Sequence, residues 1–145
     1  MVIRELDITY IEAIEKLMAD IFCREPWNDT WSGRQLHAYI TELMENKNSL
    51  AFGLFQDENM IGMVVGKTVS WMDGKEYWID EFGIVPQAQQ KGTGSGFMEA
   101  IGEKVKEKGI SSLVLLTDRN MPAYRFYKKN GFEEKKEMVF FSKKV

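Results

Sequence analysis

Ile84-Val85-Pro86-Gln87-Ala88-Gln89-Gln90-Lys91-Gly92-Thr93-Gly94-Ser95 divides the chain into two unlike parts. An apolar run rich in strand formers leads into it, and a helical stripe of Phe97, Ile101 and Val105 leaves it. A strand that passes through glycines into a helix start makes an anion cradle. The first turn of a helix has unpaired N–H groups and the positive end of the helix dipole. Gly92, Gly94 and Gly96 remove side chains that would hold a phosphate off the backbone, and Lys91 adds charge. Two common phosphate motifs do not fit. A dinucleotide fingerprint needs glycine where Phe97 stands, and no run has the Gly-Lys-Ser/Thr ending of a P-loop.

Upstream, Val2–Leu6 reads as a strand. Asp7 or Thr9 caps a helix carrying Ile11, Ile14, Leu17, Met18, Ile21 and Phe22, which Pro26 ends. Ser32 opens a second helix with Leu36, Ile40, Leu43 and Met44 on one face. Leu50–Phe55, Met60–Val69 and Tyr77–Val85 read as three strands, joined by turns at Gln56–Asn59 and Asp73-Gly74. Downstream, Gly109 closes the helix that follows the glycine turn, and Ser111–Thr117 reads as an apolar buried strand. Asn120–Lys129 reads as a short helix, and Gly131-Phe132 and Met138–Ser142 as final strands. The order β-α-α-β-β-β-α-β-α-β-β predicts a single α/β domain over residues 1–145, built on one mixed sheet.

Composition narrows the function. With 44% hydrophobic and 28% charged residues, the chain is expected to fold as a globule. A net charge of −3 argues against nucleic acid as a partner. No apolar run is long enough for a membrane span, and the N-terminus does not read as a signal peptide. A single cysteine, Cys23, rules out an internal disulfide and points to the cytoplasm. One cysteine and one histidine, Cys23 and His37, make a metal site implausible. Both sit in helical patterns with no third partner, which disfavours a nucleophile pair as well.

The quoted stretch resembles the acetyl-CoA motif of the GNAT superfamily of N-acetyltransferases: Val-x-Pro, two residues, then Arg/Gln-x-x-Gly-x-Gly/Ala. Asn120-x-x-Ala123-x-x-Phe126-Tyr127-x-x-x-Gly131-Phe132 resembles the second signature of that family. Gln89 takes the place of the commoner arginine, and Gly83 that of a bulkier residue, which widens the acceptor site or adds a bulge. The resemblance implies the GNAT fold, a mostly antiparallel twisted sheet flanked by about four helices, with acetyl-CoA as co-substrate. It implies that backbone at Phe82 and Ile84 binds the pantetheine arm. It assigns the pyrophosphate to Gln89, Gln90, Lys91, Gly92, Thr93, Gly94 and Ser95. Asn120 hydrogen-bonds near the pantetheine, and Tyr127 sits near the thioester sulfur as general acid. Many relatives are dimers, so a homodimer is compatible with it.

An amine with a pKa near 10.4 is mostly protonated at neutral pH, which adds roughly 4 to 5 kcal/mol to the effective barrier. A carboxylate that accepts the proton lowers that cost. Asp80 and Glu81 are the candidates. Strict alternation would place Asp80, Phe82 and Ile84 on one face and Ile79, Glu81 and Gly83 on the other. Several relatives carry a carboxylate at the position of Asp80, so Asp80 is preferred to Glu81. For the acceptor, Trp27, Asp29 and Trp31 suit a cationic amine. Their loop bears a short similarity to aminoglycoside 6′-acetyltransferase-like members. A small amine such as an aminoglycoside or a polyamine is therefore expected. A protein amine, a longer acyl donor, and an acyl-CoA sensor without turnover are the alternatives.

Overall fold

The computed structural model describes residues 1–145. Strand β1 (Val2–Glu5) leads to helix α1 (Ile11–Phe22) through a single turn that Asp7 caps, accepting from the Thr9 amide at 2.9 Å. Helix α2 (Gly33–Met44) starts at Ser32 in a reciprocal cap: Ser32 Oγ accepts from the Gln35 amide, and Gln35 Oε1 accepts from the Ser32 amide. Strands β2 (Ser49–Gln56), β3 (Asn59–Trp71) and β4 (Gly74–Ile84) follow as a meander. Helix α3 (Thr93–Glu107), strand β5 (Ile110–Leu115) and helix α4 (Pro122–Lys129) complete the regular structure.

The five strands form one sheet in the order β1-β2-β3-β4-β5, antiparallel up to β4, with β5 parallel to β4. The α/β architecture, with four α-helices on a mostly antiparallel mixed sheet, is the one expected. Each face carries its own core. Ile14, Leu17, Met18 and Ile21 of α1 and Leu36 and Ile40 of α2 pack on Ala51, Met63 and Val65. On the other face Phe97, Met98, Ile101 and Val105 of α3 pack on Phe52, Val64, Tyr77 and Ile79. The buried Tyr77 hydroxyl donates to the Leu50 carbonyl at 2.7 Å, so this phenol is satisfied inside the core.

Three expectations are corrected. Asn120 does not begin a helix: Met121 is the cap residue and α4 starts at Pro122, whose missing N–H costs nothing there. β5 is not fully buried, because it is the last strand of the sheet and leaves Ser111 and Ser112 exposed. Gly131-Phe132 and Met138–Ser142 do not form strands, although the second is rich in β-formers. Nothing in the chain pairs with them: Glu134 is tied to Tyr124 and Arg119, and the residues that follow are exposed.

Candidate active site

β4 is paired unequally on its two edges. Against β3 it is paired to its end, Gly62 opposite Ile84. Against β5 the pairing stops at Ile79 opposite Leu115. Beyond that point the strands part, and one edge of residues 80–84 carries backbone groups with no strand beside them. A cavity of about 750 Å3 fills the gap. Its walls include Asp80, Glu81, Phe82, Gly83 and Ile84 of β4, Leu115, Leu116 and Thr117 after the split, and Phe126 and Tyr127 of α4.

The same cavity reaches the start of α3. Gly92 precedes the helix with φ of 75°, in the left-handed region, and no side chain caps the first turn. The early N–H groups of α3 are therefore open to an anion. A Cβ at Gly94 would stand 3.1 Å from the Phe126 ring, so this glycine also permits close approach of α3 and α4. Gln89 Nε2 donates to the Ile84 carbonyl at 2.7 Å and ties the turn to the end of β4.

The register corrects the simple alternation along β4. Val65 faces Glu81 and Gly66 faces Ile79, so Asp80 is an extra residue in a β-bulge. The face that holds Tyr77 and Ile79 continues at Phe82 and Ile84, all packed with α3. Asp80 and Glu81 both turn toward α1 and α2. Asp80 pairs with Lys67 Nζ at 3.0 and 3.2 Å. Glu81 accepts from the Tyr39 hydroxyl at 2.7 Å. Burial pushes the Glu81 carboxyl up to about 7. The Tyr39 hydrogen bond opposes this, and the carboxylates of Asp29 and Asp80 add to it.

Tyr127 lies in an aromatic group with Phe82, Phe126 and Phe132. Burial, and then the charge on Glu81, raises its phenol well above the ordinary range, so it stays protonated. Its hydroxyl has no hydrogen-bond partner within the protein and lines the same cavity as Glu81. Gly83 has a role the sequence did not define. A Cβ there would meet Ile21 Cδ1 at 2.8 Å, so its absence lets α1 press against β4.

The other candidates divide. Gln90, Gly92, Gly94 and Ser95 line the cavity, while Lys91 is exposed and does not. Thr93 is the first residue of α3. Trp27 closes the cavity beside Pro26, Ile21 and Phe22, with its ring edge-on to Phe22 at 5.4 Å. Asp29 and Trp31 line a shallower depression next to it, with Tyr39 and Glu42. Asn120 is exposed and outside the cavity, and its amide donates to Asp118 Oδ1. Asp118 and Lys129 line the cavity instead. Sequence reasoning missed Tyr39. The available signal was a phenol on the apolar stripe of α2, beside Leu36, Ile40 and Leu43.

Solved structures of similar fold cover almost the whole chain. An aminoglycoside acetyltransferase, meta-AAC0020, from an uncultured soil metagenomic sample in complex with sisomicin superposes with a TM-score of 0.77 at 15% identity, covering 99% of this chain and 95% of that one. The enzyme AAC(6')-Iy in complex with a bisubstrate analogue, CoA-S-monomethyl-acetylneamine, superposes at 0.74 with 18% identity, covering 99% and 98%. The ribosomal-protein-alanine N-acetyltransferase of Brucella melitensis biovar Abortus 2308 superposes at 0.76 with 17% identity, covering 98% and 99%. Identities this low speak to the fold alone. A sequence search among curated proteins returns no match. The family model described as "Acetyltransferase (GNAT) family" matches residues 11–132, most of the chain and both of its signature stretches. The chain therefore belongs to the GNAT family of acetyltransferases and is an N-acetyltransferase.

Proposed function

We propose that the protein transfers the acetyl group of acetyl-CoA to a primary amine of a small polycationic molecule, with Glu81 as base and Tyr127 as acid. The observation that carries this reading is the parting of β4 from β5. It leaves one edge of residues 80–84 bare, and the cavity along that edge reaches the uncapped start of α3. An extended pantetheine arm fits such an edge as a further strand would, and its pyrophosphate falls at the glycine turn. Two solved structures of this fold, AAC(6')-Iy with CoA and with its bisubstrate analogue, support CoA as the donor.

The chemistry follows from the two side chains. Glu81, poised near neutrality, takes a proton from the ammonium and leaves a nucleophilic amine. The amine nitrogen bonds to the thioester carbon. The oxyanion that forms meets N–H groups on the bare edge of β4. The carbon–sulfur bond then breaks as the Tyr127 hydroxyl donates its proton to the departing thiolate, and the second proton on the new amide nitrogen passes to the Tyr127 phenolate, so that only the proton taken by Glu81 is released to solvent. Asp80 holds Lys67 and adds negative charge beside Glu81.

The acceptor side favours several positive charges. Asp29, Glu42, Asp80 and Glu81 line the depression and the adjoining end of the cavity. No lysine or arginine lines the depression. A polyamine or an aminoglycoside meets that field, and the sisomicin complex of a similar fold supports the choice. The test is thiol release from acetyl-CoA against polyamines, aminoglycosides, single amines and a peptide N-terminus. Turnover with the multiply charged amines is expected. CoA binding without thiol release for any amine would make the protein a sensor.

A further inference from the structure

Asp80, Glu81 and Asp118 are the carboxylates that line the cavity, and only Asp80 has an ion-pair partner. The partner is Lys67, whose ammonium sits 3.0 and 3.2 Å from the two Asp80 oxygens. Lys67 belongs to β3, two residues beyond Val65 and on the face that α1 and α2 cover at Val65. It lines neither the cavity nor the depression beside Tyr39. Asp80 therefore has Lys67 on one side and the space for the acceptor on the other.

The pair is placed to open. The Lys67 and Asp80 side chains are 38% and 24% exposed, and an ion pair within reach of water is weak. A lysine swings on a flexible four-carbon stem, so its ammonium can leave for solvent without moving the strand. The bulge sets Asp80 and Glu81 on one side of the sheet, next to each other in sequence, and the Asp80 charge acts on Glu81. The amine attacked at Glu81 must give up its proton, so it has no charge left for Asp80. Only a second ammonium on the same molecule can take the position of Lys67.

We propose that Lys67 holds the place of a second ammonium of the acceptor: it neutralises Asp80 while the site is empty, and a multiply charged amine displaces it. Resting on the amine acceptor proposed above, this makes the pair a filter on substrate charge. A singly charged amine leaves Lys67 on Asp80 and gains nothing from that carboxylate. A diamine or polyamine trades one ammonium for another, and its gain is what remains after the displacement. Asp80 stays paired in both states, so its charge never bears on Glu81 alone.

Calorimetric titration of the CoA-bound protein with spermidine and with propylamine tests this in wild type, Lys67→Met, Asp80→Asn and the double variant. Lys67→Met keeps the apolar stem. It is expected to tighten spermidine by about threefold or more when Asp80 is present, and by about twofold at most when Asn replaces Asp80. Propylamine should shift by about twofold at most in every variant. In wild type, spermidine should move the Lys67 side-chain ammonium resonance, and propylamine should not. Equal tightening with and without Asp80 overturns the proposal, because Lys67 then acts only as a distant like charge. Weaker spermidine binding in Lys67→Met, an unmoved Lys67 resonance, or no spermidine binding by either wild type or Lys67→Met overturns it too. Thiol release from acetyl-CoA is read on the same samples. The expected binding pattern without thiol release would count against acetyl transfer and leave the displacement standing.

Discussion

The Tyr39 hydroxyl donates to Glu81 Oε1 at 2.7 Å while its ring stacks on Trp31 at 5.0 Å and 17°. One side chain thus links the loop at the acceptor side to the carboxyl proposed as base. The hydrogen bond holds the Glu81 carboxyl lower than burial alone would. Tyr39→Phe keeps the stack and removes the donor. The acid limb of the pH profile of kcat/KM is therefore expected to move up by about one pH unit. An unmoved limb would separate Tyr39 from the base.

Glu81→Gln removes the proton acceptor and keeps the shape. A fall in kcat/KM of about 10² to 10⁴ is expected at neutral pH, with the limb near pH 7 abolished. Asp80→Asn is expected to keep that limb, because its carboxylate is engaged with Lys67. If Asp80→Asn erases the limb and Glu81→Gln does not, the assignment reverses.

Tyr127→Phe leaves the aromatic packing in place and removes the acid. We expect kcat to fall by about 10² or more with CoA binding, followed by calorimetry, unchanged. Weakened CoA binding with kcat intact would make Tyr127 a cofactor contact only.

Glu81 also sets a pH dependence of stability. Its proton affinity is raised on folding, from 4.5 to about 7. Stability from this group is therefore complete below pH 4.5 and is lost as pH rises through about 7. The loss is roughly 3 kcal/mol at most. Urea denaturation of Glu81→Gln should lack this component, so the variant gains on wild type as pH rises from 5 to 8. A constant difference over that range would refute the burial of Glu81.

Gly83→Val places side-chain atoms where Ile21 and Phe22 already lie. It is expected to cost about 1 to 3 kcal/mol in thermal or urea unfolding. A Gly83→Val protein of wild-type stability would show that α1 does not press on β4 as described.

Much of this was legible in the sequence because it rests on local chemistry. The glycine turn, the caps at Asp7 and Ser32 and the order of elements up to α4 all follow from neighbouring residues. The faces of β4 did not, because a bulge depends on the register against β3, and no spacing within Tyr77–Val85 reveals it. For the same reason the Asp80–Lys67 and Tyr39–Glu81 contacts were invisible: they join residues 13 and 42 positions apart. Asn120 was read from a signature, and its surroundings were not legible there: it is exposed, with its amide turned to Asp118 Oδ1. The tail misled because β-propensity says that a segment can pair and not that a partner is within reach.

The extra residue at Asp80 is what lets two adjacent carboxylates share one side of the sheet. Removing Asp80 alone would restore strict alternation with Ile79 still toward α3 and Glu81 still toward α2, so the proposed base would keep its place and Lys67 would lose its partner. A strand of the same length that ran without the bulge would set Asp80 opposite Val65, turn Glu81 toward the apolar helix α3 and turn Phe82 toward the amine. One irregular pairing against β3 therefore decides on which side of the sheet the chemistry can occur.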